Sequence, residues 1–192
     1  MILIFSAPSG SGKSTLIDYL LSQRKDLAFS VSATTRAPRG QEVNGKEYYF
    51  ITPEEFMERV QNGDFIEYES VYNNTYYGTL HSEIERIEKS GQHVIFDVDV
   101  KGGMHLKDIF GDKAHSFFIS PPSIETLRER LQSRATDSPE KIAERLAKAE
   151  TEMTDAKHFD SIIVNNDLEQ AKQELVSAVS NFLGEENKTQ QA

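Results

Sequence analysis

Residues 1–23, "MILIFSAPSGSGKSTLIDYLLSQ", decide the fold. "MILIF" is a short, apolar, β-prone run that ends in a loop of glycine, serine and proline, "SAPSGSGKST" at 6–15. After it, "KSTLIDYLLSQ" places Leu16, Tyr19, Leu20 and Gln23 at helical spacing. The order is strand, glycine loop, helix. A nucleotide phosphate needs converging backbone N–H groups, a helix N-terminus behind it and one flexible cation. Gly10 and Gly12 let the backbone approach closely, the helix starting near Lys13 adds its dipole, and Lys13 reaches the β/γ oxygens. Ser14 then offers its hydroxyl to Mg²⁺. The full pattern is G-x-x-x-x-G-K-[ST], and Ala7 stands at its first position with the spacing kept. A plain small-residue turn is the competing reading, but the flanking strand and helix favour a phosphate loop.

The 192 residues suffice for one sizeable domain with a buried core and small inserted lobes. With no cysteine, disulfides and thiolate metal sites are excluded. The longest apolar runs, such as "VIF" within "HVIFDVDV", are far too short to span a bilayer, and "MILIF" lacks the basic leader of a signal peptide. The expectation is a cytoplasmic protein with no membrane partner. A net charge of −10 argues against a nucleic-acid partner, so positive charge for a phosphorylated substrate must be concentrated locally. The five histidines show no paired helical spacing, and no transition-metal site is expected.

Further along, Thr52-Pro53-Glu54-Glu55 has a capping-box pattern with proline at the first helical position, and Asn62-Gly63 closes that helix. Leu80, Ile84 and Ile87 mark one face of another helix, stopped by Ser90-Gly91. "HVIFDVDV" (93–100), "AHSFFIS" and "DSIIVNN" read as strands, the last two followed by amphipathic helices over 123–134 and 167–183. Strands alternating with helices from residue 91 onward predict a parallel sheet with crossover helices. Two regions break this rhythm. Residues 30–79 hold six of the seven tyrosines and turn signals at 44–45 and 73–74, as in a small β-rich insertion. Residues 128–158 form an arginine-studded helical pair around "ATDSP", as in a mobile hairpin. The tail after Gly184 is polar and expected to fray.

"SVSATTRAPRGQEVNGKEYYF" places Arg36 and Arg39 three apart, the local positive patch suited to forking a phosphate monoester. Solvated loop arginines are the alternative. Asp97 and Asp99 of "DVD" fall at the end of a buried strand with side chains on one face, where ligands collect in open α/β sheets. Asp97 is the expected magnesium-side carboxylate, through water, against the alternative that these acids cap the next helix. "NNDL" at 165–168 lacks the lysine of an N-K-x-D guanine reader, which speaks against a GTPase.

In this order behind a phosphate loop, "SVSATTRAPRGQEVNGKEYYF", "GDFIEYESVYNNTYYGT", "DVDVKG" and "VNNDL" resemble the guanylate kinase family over residues 1–183. The resemblance implies an α/β fold: a P-loop NTPase-type parallel sheet with flanking helices, a small β-rich GMP-binding insertion and a helical lid. It divides the chain into a core (1–30, 80–125, 159–183), a GMP-binding region (31–79), a lid (126–158) and a tail (184–192). It implies transfer of phosphate from ATP to GMP with Mg²⁺, and ATP contacts from Ala7, Pro8, Ser9, Gly10, Ser11, Gly12, Lys13, Ser14, Thr15 and, near the adenine, Asn165. The GMP phosphate falls to Arg36, Arg39, Tyr48 and Tyr77, and the guanine to Ser32, Glu67 and Thr79, with Asp97 and Asp99 on the GMP side. Guanine presents N1–H and N2–H₂ side by side, so one carboxylate can accept from both, whereas adenine has no donor at N1. Arg130, Arg134 and Arg145 match lid positions that close over the phosphates, joining Lys13 and Arg36 as the catalytic cations; surface i,i+4 pairing is their alternative. Where the family commonly has glutamine before glycine, this chain has Lys101. The rival function is a non-catalytic guanylate-kinase-like interaction module, against which the phosphate loop speaks. Monomer or homodimer, and GMP against dGMP, stay open at this stage.

Overall fold

Strand β1 (Ile2–Ser6) is buried along its whole length, and α1 (Lys13–Gln23) follows the loop. The computed structural model describes residues 1–72, 75–133 and 137–184. The remaining elements are β2 (Leu27–Phe29), β3 (Ala33–Thr34), β4 (Tyr49–Phe50), α2 (Pro53–Gln61), β5 (Phe65–Tyr72), β6 (Thr75–Leu80), α3 (His81–Lys89) and β7 (His93–Asp97). Then come α4 (Val100–Phe110), β8 (Ala114–Ser120), α5 (Ile124–Ser133), α6 (Pro139–Asp155), β9 (Ser161–Val164) and α7 (Leu168–Phe182). The turn signal at 73–74, part of the "ATDSP" loop and residues 185–192 lie outside the described residues. Among those described, no helix is long and apolar enough to cross a membrane.

Two compact units are present: 1–25 with 95–192, and 26–94. In the first unit the strands run β7-β1-β8-β9, and β1 and β9 both pair parallel with β8. This is the α/β arrangement expected, a mostly parallel sheet with flanking helices. Leu3, Ile4 and Phe5 have no exposed surface, and Phe5 stacks on Phe117 at 4.9 Å between centroids. The α1 face that turns inward is Leu16, Ile17 and Leu20; Tyr19 is only half-buried and Gln23 is exposed, so Ile17 takes the place the spacing gave them. Helices α5 and α6 share their own apolar cluster of Leu127, Leu131, Ile142, Leu146 and Ala149.

The second unit is built on a four-stranded sheet, β4-β3-β6-β5, with the β5–β6 hairpin antiparallel. Phe56 of α2 stacks between Phe65 and Tyr76 at 4.3 and 5.3 Å, which fills the space between helix and sheet. The N-cap and the stop read in the sequence are present: the Thr52 hydroxyl accepts from the Glu55 amide at 3.1 Å, and Gly63 has φ 72°, while the Glu55 carboxylate accepts from Arg59 at 2.9 Å. α3 begins at His81 and buries Ile84 and Ile87 together with an acid, Glu83.

Candidate active site

The loop between β1 and α1 works because two of its residues adopt backbone conformations open to glycine. Gly10 has φ 99° and Gly12 φ 91°. A Cβ on Gly12 would also collide with the Asn165 side-chain amide. The Ser11 amide closes a turn onto the Pro8 carbonyl at 3.1 Å. Residues 7–15 line a cavity of about 460 Å³ together with Asp97, Val98, Asp99, Arg145, Lys148 and Glu152. Lys13 reaches across it, ion-paired with Asp97 and donating to the Val98 carbonyl at 3.0 Å.

The two acids of "DVD" do not share a strand face. β7 ends at Asp97, and Asp99 is the N-cap of α4, its Oδ1 accepting from the Gly102 amide at 2.8 Å. For Asp99 the helix-capping alternative is what the structure holds. The chain turns there because the Ser6 hydroxyl donates to the Asp99 carbonyl at 3.0 Å. Lys101 lies exposed on α4.

From the α5–α6 pair, Arg145 Nη1 donates to the Ser9 hydroxyl at 3.2 Å and pairs with Asp137 at 3.3 Å. Arg130 donates to the backbone carbonyl of Asn165 at 2.8 Å, and the Asn165 amide donates to the Ser11 carbonyl at 2.7 Å. Asn165 is 5% exposed, so its side-chain N–H braces the loop from beneath. A second cavity of about 300 Å³ lies beside it, lined among others by Gly12, Thr15, Arg130, Asn165 and Asn166. Arg134 lies outside the described residues.

In the second unit, three of the four residues assigned to the acceptor phosphate come together. Arg36 Nε donates to the Tyr77 hydroxyl at 3.1 Å, its guanidinium carbon lies 4.9 Å from the centre of the Tyr48 ring, and the Tyr48 and Tyr77 rings meet edge-on at 5.8 Å. Arg39 is exposed, and its backbone N–H donates to Glu42 Oε2 at 2.7 Å. Glu67 and Thr79 face each other across β5 and β6, and the Thr79 hydroxyl donates to Glu67 Oε1 at 2.8 Å. Ser32, half-buried, leads into β3 and accepts from the Tyr49 amide through its carbonyl at 2.9 Å.

With the loop, its cation and the arginine–tyrosine cluster in place, comparison with known proteins gives the family. The guanylate kinase family model matches residues 1–182. The chain belongs to the guanylate kinase family. A guanylate kinase of Bacteroides thetaiotaomicron is 56% identical over 185 residues, covering 96% of this chain and 91% of that one. One from Porphyromonas gingivalis is 54% identical over 183 residues, 95% and 97% of the two chains. The crystal structure of guanylate kinase from Anaplasma phagocytophilum matches with a TM-score of 0.70 at 33% identity, over 98% of this chain and 87% of that one.

This guanylate kinase family member also places three acids where sequence reasoning assigned no role. Glu42 grips Arg36 with both oxygens, at 2.6 and 2.7 Å, and the pair holds the Glu42 carboxyl down at about 2. The Ala37 carbonyl takes a further Arg36 hydrogen at 3.0 Å. Two edges of the guanidinium are thereby fixed, and on the third Nε donates to the Tyr77 hydroxyl. No periodicity in a loop could have revealed that pairing. Glu152 continues the α6 stripe of Ile142, Leu146 and Ala149, a spacing that does signal burial. Burial, with Asp99 nearby, pushes its carboxyl up, against the pull of Lys148 at 3.3 Å and of Lys13. Glu83 sits beside Ile84 and one turn before Ile87, on the same buried stripe.

Proposed function

We propose that this chain transfers the γ-phosphoryl group of ATP to GMP, giving ADP and GDP, as a nucleoside monophosphate kinase. The observation that carries the proposal is the loop of residues 7–15, with Gly10 and Gly12 at positive φ and Lys13 reaching across the cavity that the loop lines. Backbone N–H groups and the N-terminus of α1 bind the donor phosphates, and Lys13 turns from Asp97 to their β/γ oxygens. Asn165 and the smaller cavity lie on the adenine side. Arg130 and Arg145, with Arg134, neutralise charge on the group in transit and keep water from it.

The acceptor phosphate is bound by Arg36, Arg39, Tyr48 and Tyr77, with Glu42 bracing Arg36. Ser32, Glu67 and Thr79 read the guanine, the Thr79 hydroxyl holding the Glu67 carboxylate toward the N1–H and N2–H₂ donors. Asp97 and Asp99 complete the residues assigned to GMP. The attacking oxygen belongs to a phosphate and is already anionic, so no strong general base is required. Catalysis is positioning and charge neutralisation.

Ser14, and Asp97 through water, would hold Mg²⁺. Both line the loop cavity, and among the described residues no group of three His, Asp or Glu could hold a metal by itself. That donor set fits an ion carried largely by phosphate oxygens and water, as Mg²⁺ usually is. When bound there, Mg²⁺ would offset charge on the β- and γ-phosphate oxygens.

A coupled ADP-release assay with Mg²⁺·ATP against GMP, AMP, CMP, UMP and dTMP tests the reading. Rapid turnover with GMP alone is expected. Equal turnover with AMP would overturn the guanine assignment, and silence with all five from a folded protein that binds GMP would leave only the interaction-module reading.

A further inference from the structure

Glu83 lies at the start of α3 with 2% of its surface exposed, a charged group inside the core of the second unit. Its oxygens are fully used. Oε1 accepts from the Val31 amide at 3.0 Å and from Arg86 Nη2 at 2.7 Å. Oε2 accepts from the Tyr49 hydroxyl at 2.9 Å and from Arg86 Nε at 3.1 Å. Burial pushes its carboxyl up, but Arg86, the Val31 amide and Tyr49 hold it below the ordinary carboxylate range. Burial and Glu83 push the Tyr49 phenol up, so tyrosine remains the donor at neutral pH.

The two segments that Glu83 grips run side by side. β3 pairs parallel with β4, and the Tyr49 amide donates to the Ser32 carbonyl. Each gripped residue adjoins a residue assigned to GMP: Ser32 follows Val31, and Tyr48 precedes Tyr49. Neighbours along extended chain point to opposite sides. Tyr48 and Phe50 lie together under Arg36, while Tyr49 between them turns back to Glu83. Anchoring Tyr49 therefore fixes which way the Tyr48 ring faces.

We infer that Glu83 is a positioning residue for the acceptor: one carboxylate, reaching from α3, sets the spacing between the segment that reads the base and the segment that holds the phosphate. The inference rests on the assignment of Ser32 and Tyr48 to GMP. A carboxylate that merely stabilised the packing of α3 would change the melting temperature and leave the acceptor constant alone.

The test is steady-state kinetics, well below each variant's melting temperature, on Glu83→Gln and Tyr49→Phe, with Ser32→Ala and Tyr48→Phe as controls. An amide cannot accept at its nitrogen and leaves Arg86 without its counter-charge. Glu83→Gln should therefore raise KM for GMP about tenfold, with KM for ATP within about twofold of wild type. Tyr49→Phe removes a single hydroxyl, keeps the ring, and should raise KM for GMP roughly threefold. Folded variants with a lowered melting temperature but an unchanged KM for GMP would overturn the inference. If Glu83→Gln does not fold, Tyr49→Phe decides by the same criterion. The controls separate the two layers. Silent Ser32→Ala and Tyr48→Phe would remove the GMP assignment and this inference with it, whereas active controls beside a silent Glu83→Gln overturn the inference alone.

Discussion

Between Ala7 and Thr15 the groups offered to an anion are main-chain N–H groups and a helix end, whereas around Arg36 they are guanidinium and hydroxyl groups from residues 36, 48 and 77. The first kind of site is made by the path of the backbone. Its parts are contiguous, and two glycines at φ 99° and 91° with one lysine suffice to specify it. The second kind is made by side chains holding one another, Arg36 on Tyr77, Tyr48 and Glu42. A backbone site tolerates many neighbours but no Cβ at Gly12. A side-chain site tolerates backbone variation but depends on each partner in turn. The difference leads to distinct failure modes under mutation.

The largest effect is expected at the loop's one cation. Lys13→Ala should lower kcat on the order of 1000-fold. GMP affinity measured by calorimetry should be nearly unchanged, because Lys13 serves the donor side. An equal loss of GMP binding in a folded variant would break the division between donor and acceptor. Next comes Glu67→Gln, which sets an amide against two guanine donors and should raise KM for GMP roughly 100-fold with little change for ATP. Equal losses for both nucleotides would remove Glu67 from base recognition. Of these three, Glu42→Gln should have the smallest effect, a rise in KM for GMP of roughly fivefold as Arg36 loses its brace.

The same pair carries a pH signature. Glu42 is held at about 2 in the folded chain against an ordinary 4.5, so its contribution to stability is complete above about 4.5. It is lost as pH falls from about 4.5 through 2. Melting temperatures of wild type and Glu42→Gln should therefore converge over that interval. A constant gap down to pH 2 would mean that the ion pair is not what separates them.

How much could be read in advance follows the same divide. The strand–loop–helix opening, the cap at Thr52 and the stop at Gly63 are local events, and short stretches of sequence specify them. "DVDV" misled because alternation was extended past the true end of β7; the Ser6 hydroxyl and the Gly102 amide draw Asp99 out of the strand, and neither is visible from residues 93–100. Arg36 is legible with Arg39 as a local positive patch, but Tyr48 and Tyr77 join it only through family resemblance, since nothing in their spacing brings the three together. Glu42 and Glu83 escaped for a related reason: each looks like an ordinary surface acid until a partner is known, and the Val31 partner of Glu83 lies 52 residues away.

The Arg36–Glu42 pair also bears on conformational entropy. An unrestrained arginine carries about 2 kcal/mol of rotamer freedom, and a ligand that orders it must overcome that loss. Here the side chain is stacked on Tyr48 and tied to Glu42, Tyr77 and Ala37 by the protein's own groups. The disorder was surrendered when the chain folded. An incoming phosphate therefore meets an arginine that is already ordered, and binding it costs less of that freedom.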